Sequence, residues 1–140
     1  LWTGQDFGGK LPSEVFRERF LTCFISDPVG IELRDHIGLD NIAWECDYPH
    51  SDSSWPEAPE ELAAVAEGVP DEDLAKLGYE NACRWYSFDP FAHRAKEDCT
   101  VGALRAEAGD HDVAIRSFDK GRYERRKGIE IGKLAAKATA

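Results

Sequence analysis

A carboxylate and an imidazole three residues apart stand out in the stretch Trp44-Glu45-Cys46-Asp47-Tyr48-Pro49-His50-Ser51-Asp52-Ser53-Ser54-Trp55-Pro56. Brought onto one turn, Asp47 and His50 could bind a divalent metal or pass a proton. The same spacing suits a turn-making Asp beside a surface His, and spacing alone favours that plainer role. Glu45 lies two residues before Asp47, so strand alternation sets both acids on one side. An unpaired carboxylate there is costly and needs a Lys, Arg or His partner. His50 could face a substrate or brace the turn. Asp52 reads as a loop or capping acid, Trp44 and Trp55 as packing groups, and Arg17 and Arg84 as salt-bridge partners. His36 falls in a helical stretch, His93 and His111 in a weakly patterned one, and no role attaches to these three.

The elements around that stretch decide where Asp47 is presented. Phe20-Leu21-Thr22-Cys23-Phe24-Ile25 is a short apolar run bounded by Ser26-Asp27-Pro28, the profile of a strand buried on both faces. Asp27 caps a helix with Pro28 at its first position, expected to run to about Ile37 and to stop at Gly38. Asn41-Ile42-Ala43-Trp44-Glu45-Cys46 reads as a second strand. Strand, helix, strand with about 15 residues between is a βαβ unit with parallel strands. Asp47 then lies just past the C-terminal end of a parallel strand, where α/β barrels and open sheets hold their active sites.

Upstream, the Gly-rich residues 1–12 read as a loop, and Ser13 as the cap of a short helix. Downstream, a helix is expected from Glu57 to Glu67, stopped by Gly68. Another opens at Pro70-Asp71-Glu72-Asp73, and its pattern continues through Asn81 to Tyr86. Past Pro90 the pattern weakens, with one terminal helix expected from Glu130 to Lys137. Two parallel strands do not make a stable sheet alone. Their neighbours must come from sequence absent here or from another chain, a homo-oligomer being one such arrangement.

Composition narrows the classes. At 42% hydrophobic and 31% charged residues the chain is ordinary globular material, and no run approaches the roughly 18 apolar residues that span a bilayer. The start, Leu1-Trp2-Thr3-Gly4-Gln5-Asp6, lacks a signal-peptide pattern and an initiator Met, so an internal start is expected. A net charge of -10 argues against nucleic acid. Residues 120–140 carry seven Lys/Arg against Glu124 and Glu130, a basic tail expected to dock on the acidic body. Cys23, Cys46, Cys83 and Cys99 show no metal-binding spacing and read as reduced thiols of a cytoplasmic protein.

The Asp47-to-Pro56 stretch, together with Pro12-Ser13-Glu14-Val15-Phe16-Arg17, Asp27-Pro28-Val29-Gly30 and Glu80-Asn81-Ala82-Cys83-Arg84-Trp85-Tyr86, resembles the end of the amidohydrolase-related family (amidohydrolase 2 type). The likeness covers residues 10 to 91. It implies an α/β fold, the C-terminal portion of a (β/α)8 TIM barrel, with residues 20–25 and 41–46 as the seventh and eighth strands. Residues 1–92 would be the last β/α units and residues 93–140 a C-terminal extension. By the same resemblance Asp47 is a metal ligand and general base, His50 a substrate-binding residue, and the cofactor a divalent metal, zinc first. The implied activity is hydrolysis or decarboxylation of a small carboxylated or cyclic substrate.

The family's first-strand His-x-His pair and its histidines after the middle strands have no counterparts here. One carboxylate does not hold a catalytic zinc. The chain is expected to be inert without a missing N-terminal barrel part or another chain that supplies it. The reading of a different class is a binding or scaffold module that kept the last barrel units and lost the chemistry.

Overall fold

The computed structural model describes residues 4–111. Pro12 opens α1 (Pro12–Arg19), since its missing N–H costs nothing in a first helical turn. Glu14 reaches back from the third helical position and its carboxylate accepts the Leu11 N–H at 2.6 Å. The cap expected at Ser13 is therefore displaced. The helix starts two residues earlier, with Leu11 at the cap position, and a carboxylate inside its first turn satisfies the free donor.

β1 (Thr22–Phe24) leads to Asp27, whose Oδ1 accepts the Gly30 N–H at 2.9 Å and caps α2 (Pro28–Glu32). A Cβ on Gly30 would sit 2.5 Å from Asp27 Oδ2, so glycine is what lets this cap close. The single helix expected to about Ile37 is two, α2 and α3 (Arg34–Ile37), broken at Leu33 with φ -91° and ψ 7°. Gly38 ends α3 at φ 111°, a conformation that side chains resist.

β2 (Ile42–Trp44) pairs with β1 in parallel, Thr22 opposite Ile42, Cys23 opposite Ala43 and Phe24 opposite Trp44. The strands expected over 20–25 and 41–46 are thus three residues each. One further bond, Glu45 N–H to the Phe24 carbonyl at 3.0 Å, carries the ladder a single step on before the backbone turns at Asp47. Burial on both faces holds for β2, where Ile42 and Ala43 are buried, but not for β1, where Cys23 is exposed. No third strand flanks the pair among the described residues.

α4 (Ala58–Val65) follows the Asp47 loop, and Gly68 at φ 81° turns the chain back. α5 (Asp71–Ala75), a wide π-type turn (Lys76–Glu80) and α6 (Asn81–Trp85) form one continuous rod. That rod packs across β2 and supplies Leu77, which is fully buried against Ile31 and Ile42 with Phe24, Ile37, Leu39, Val65 and Val69 around it. Burying such a leucine contributes about 2 kcal/mol. Beyond Pro90 the chain is more regular than its pattern suggests. Thr100 Oγ1 accepts the Ala103 N–H at 3.3 Å and caps α7 (Val101–Ala108). The helix expected over Glu130–Lys137 and the basic tail lie outside the described residues. The small core leaves large apolar side chains open, among them Leu11, Phe20, Val29, Tyr86 and Phe88. No helix among the described residues is long and apolar enough to cross a membrane.

Candidate functional site

Because β1 and β2 run in parallel, their C-terminal ends share one rim, and the chain leaving β2 there carries Asp47. Its backbone takes φ 53°, in the left-handed region that a short polar side chain tolerates better than a bulky one. The turn that follows brings the two candidate residues together. His50 N–H donates to the Asp47 carbonyl at 2.9 Å, and His50 Nδ1 lies 2.7 Å from Asp47 Oδ1. With the carboxylate ionised, Nδ1 carries the proton of that bond and Nε2 is the ring's remaining polar atom. Asp47 Oδ2 has no hydrogen bond among the described residues.

Exposure separates the two partners. The Asp47 side chain is 23% exposed and that of His50 72%. The hydrogen bond to Asp47, then the Asp47 charge, raises the His50 pKa above its ordinary value, with smaller contributions from Asp52 and Glu45. The pair can hold one carboxylate oxygen in place, and it can carry a proton between carboxylate and imidazole.

The loop beyond His50 closes on the strand it left. Ser53 N–H donates to the His50 carbonyl at 3.2 Å, Ser53 Oγ donates to the Cys46 carbonyl at 2.7 Å, and Ser54 N–H donates to that same carbonyl at 3.1 Å. Trp55 N–H returns to Ser53 Oγ at 3.2 Å, and the Trp55 ring packs on Tyr48 at 5.4 Å between centroids. Ser54 is buried, and neither its hydroxyl nor Trp44 Nε1 has a hydrogen-bond partner among the described residues.

A divalent ion needs a set of donors. Asp47 Oδ2 suits one position of such a set, yet no group of three or more His, Cys, Asp or Glu side chains that could hold a metal occurs among the described residues. Asp47 fits as a single ligand, and the described residues around it do not supply a full set. Two surface grooves, one lined by Asp6, Phe7, Lys10 and Arg19 and one by Arg17, Asn41, Arg84 and Trp85, involve neither Asp47 nor His50.

The remaining candidates fall into other roles. Glu45 is exposed, so the buried-carboxylate problem expected of it does not arise here. Its charge also acts on the exposed Cys23 thiol, whose pKa is raised first by partial burial and then by Glu45. Asp52 is exposed. Among the described residues Arg17 and Arg84 make no salt bridge. Each guanidinium donates instead to a backbone carbonyl, Arg17 to His36 and Arg84 to Asp40, because helix and turn ends leave carbonyls without partners.

Two buried asparagines escaped the sequence reading. Asn41 Nδ2 donates to the Arg17 and Phe20 carbonyls, both at 2.7 Å, and Asn81 Nδ2 to the Leu39 and Ile42 carbonyls, both at 2.8 Å. The signal for Asn81 is its place four residues after Leu77. A polar amide on the core-facing side of a helix must find partners there.

No curated protein matches the sequence. A family model described as amidohydrolase matches residues 6–88, which spans both strands, the Asp47 turn and α6. That is more than half of the chain, and the chain belongs to the amidohydrolase family.

Proposed function

We propose that this chain contributes the last β/α units of a metal-dependent amidohydrolase barrel, with Asp47 as its one metal ligand and His50 as the residue that orients it. Amidohydrolases have the TIM-barrel fold, are generally hydrolases or decarboxylases, and typically bind divalent metals. The observation that carries the reading is the Asp47 carboxylate at the C-terminal rim of two parallel strands, one oxygen held by His50 and the other without a hydrogen bond among the described residues. Barrel enzymes assemble their catalytic groups at that rim from several strands.

A bound divalent ion, zinc first, would polarise an oxygen of a small carboxylated or cyclic substrate. Asp47 would supply negative charge and a proton acceptor beside it. His50, fixed through Nδ1, would offer Nε2 to a substrate oxygen. The other ligands would come from a preceding barrel segment or another chain.

The test is elemental analysis and turnover of the full-length protein and its Asp47→Asn variant. Expected are a loss of bound metal and a fall in activity of at least about two orders of magnitude, typical for a positioned acid–base group. Normal metal content and turnover in Asp47→Asn would make Asp47 a turn residue only.

A further inference from the structure

The Asp47 loop is tied shut at a single atom. The Cys46 carbonyl, immediately before Asp47, accepts both the Ser53 hydroxyl at 2.7 Å and the Ser54 N–H at 3.1 Å. Ser53 also works in two other directions. Its N–H holds the His50 carbonyl and its Oγ accepts the Trp55 N–H. Hydrogen bonds therefore run from Asp47 to His50, from His50 to Ser53, and from Ser53 to Cys46, a closed ring with Asp47 inside it. Asp47 needs such a ring, because its φ of 53° is one that a non-glycine residue adopts only when its surroundings impose it.

From this geometry we infer that Ser53 is a positioning residue, whose hydroxyl fixes the Cys46 peptide and so the direction in which Asp47 presents its free carboxylate oxygen. The inference rests on the reading of Asp47 as a metal ligand. Ser53 touches neither the metal nor a substrate. It acts through the peptide that enters Asp47 and through the backbone of His50, the residue that holds the other carboxylate oxygen. Ser53 is half-buried and Ser54 after it is buried, while Ser51 and Asp52 before it are exposed, so the loop turns inward from Ser53 on.

The experiment is cobalt titration of metal-free full-length protein, read by its visible absorption, for wild type, Ser53→Ala, Ser53→Thr and Asp47→Asn. Loss of an outer partner of a metal ligand typically weakens binding 10- to 100-fold. Ser53→Ala is expected to raise the cobalt dissociation constant about tenfold and to alter the absorption spectrum. Ser53→Thr, which keeps the hydroxyl, should restore both. A merely structural serine would lower the melting temperature without changing the spectrum of the protein that stays folded, and that result overturns the inference. Wild-type affinity and spectrum in Ser53→Ala, with both lost in Asp47→Asn, also overturns it and leaves Asp47 as a ligand. If Asp47→Asn binds cobalt like wild type, or wild type binds none, the metal reading fails and the role of Ser53 with it. Should Ser53→Ala not fold, amide exchange in the wild type decides. Slow exchange at Ser54 and Trp55 supports the ring, and exchange at the open-chain rate overturns it.

Discussion

The two rims of the strand pair are built by opposite means. At the N-terminal rim, side chains reach across the fold: Asn41 holds the end of α1, Asn81 holds Leu39 and Ile42, and Arg84 holds Asp40 from 44 residues away. At the C-terminal rim, past the last ladder bond from Glu45 to Phe24, the hydrogen bonds that shape the Asp47 loop among the described residues come from within the next eight residues. One rim is fastened to the body and the other is a self-contained loop standing on it. Barrel proteins commonly divide labour this way, with stability at the N-terminal face and chemistry at the C-terminal face. A locally tied loop can change its side chains without unfastening the strands beneath it.

The sharpest way to break that division is Asn81→Leu. The substitution fits a core-facing helix position but takes the amide donor from the buried Ile42 carbonyl and from the Leu39 carbonyl, which keeps the Ile42 N–H. One orphaned buried carbonyl costs about 1–3 kcal/mol, so a loss of roughly 2 kcal/mol in urea unfolding is expected. A loss below about 0.5 kcal/mol, typical of surface changes, would mean that the N-terminal rim is not the fastened one.

Asp47→Asn should do the reverse. Asn tolerates the left-handed backbone as Asp does, so unfolding should shift by no more than about 0.5 kcal/mol. Metal affinity should fall by more than about a hundredfold, beyond the usual cost of losing an outer partner. Calorimetric titration with zinc measures one quantity and urea unfolding the other. If stability falls more than metal affinity does, the rims do not differ in kind. His50→Asn sharpens the same contrast at a smaller scale. It shortens the side chain that holds Asp47 Oδ1 and should weaken zinc about tenfold, between wild type and Asp47→Asn.

What was legible in the sequence was what short stretches of chain settle for themselves. Asp27-Pro28 announces a capped helix start, Gly38 and Gly68 announce stops, and two apolar runs with a helix between them announce parallel strands. The meeting of Asp47 and His50 was legible too, since three residues and a proline make a turn. The break at Leu33 was not, because nothing at that position forbids a helix and tertiary packing decides it. Asn41 and Asn81 were missed because their partners lie 21 to 42 residues away. Ser53 was missed for a subtler reason. Serine in a polar loop reads as solvated until the loop is seen to fold back on Cys46. A set of metal donors was not legible, and no group of three or more His, Cys, Asp or Glu side chains that could hold a metal occurs among the described residues.

The smallest expected effect concerns the helix that leaves the Asp47 loop. Glu60 in the first turn of α4 pairs with Arg105 of α7, a long-range contact that ties the loop's exit to the chain beyond Pro90. Both side chains are about half exposed, so water and salt screen the pair. The hydrogen bond from Arg105, opposed by slight burial, lowers the Glu60 pKa below its ordinary 4.5. A carboxylate whose folded pKa is depressed adds stability above its unfolded value and loses it as pH falls through the folded one. Glu60→Gln should therefore melt slightly below wild type at neutral pH and low salt. The gap should close as the pH drops below 4.5, and also at neutral pH when salt is raised to about 1 M, where screening acts within about 3 Å. A gap that widens in acid would reverse the sign of the linkage. A gap comparable to that of Asn81→Leu would mean that the exit of the loop, and not only the N-terminal rim, is fastened to the body by distant contacts.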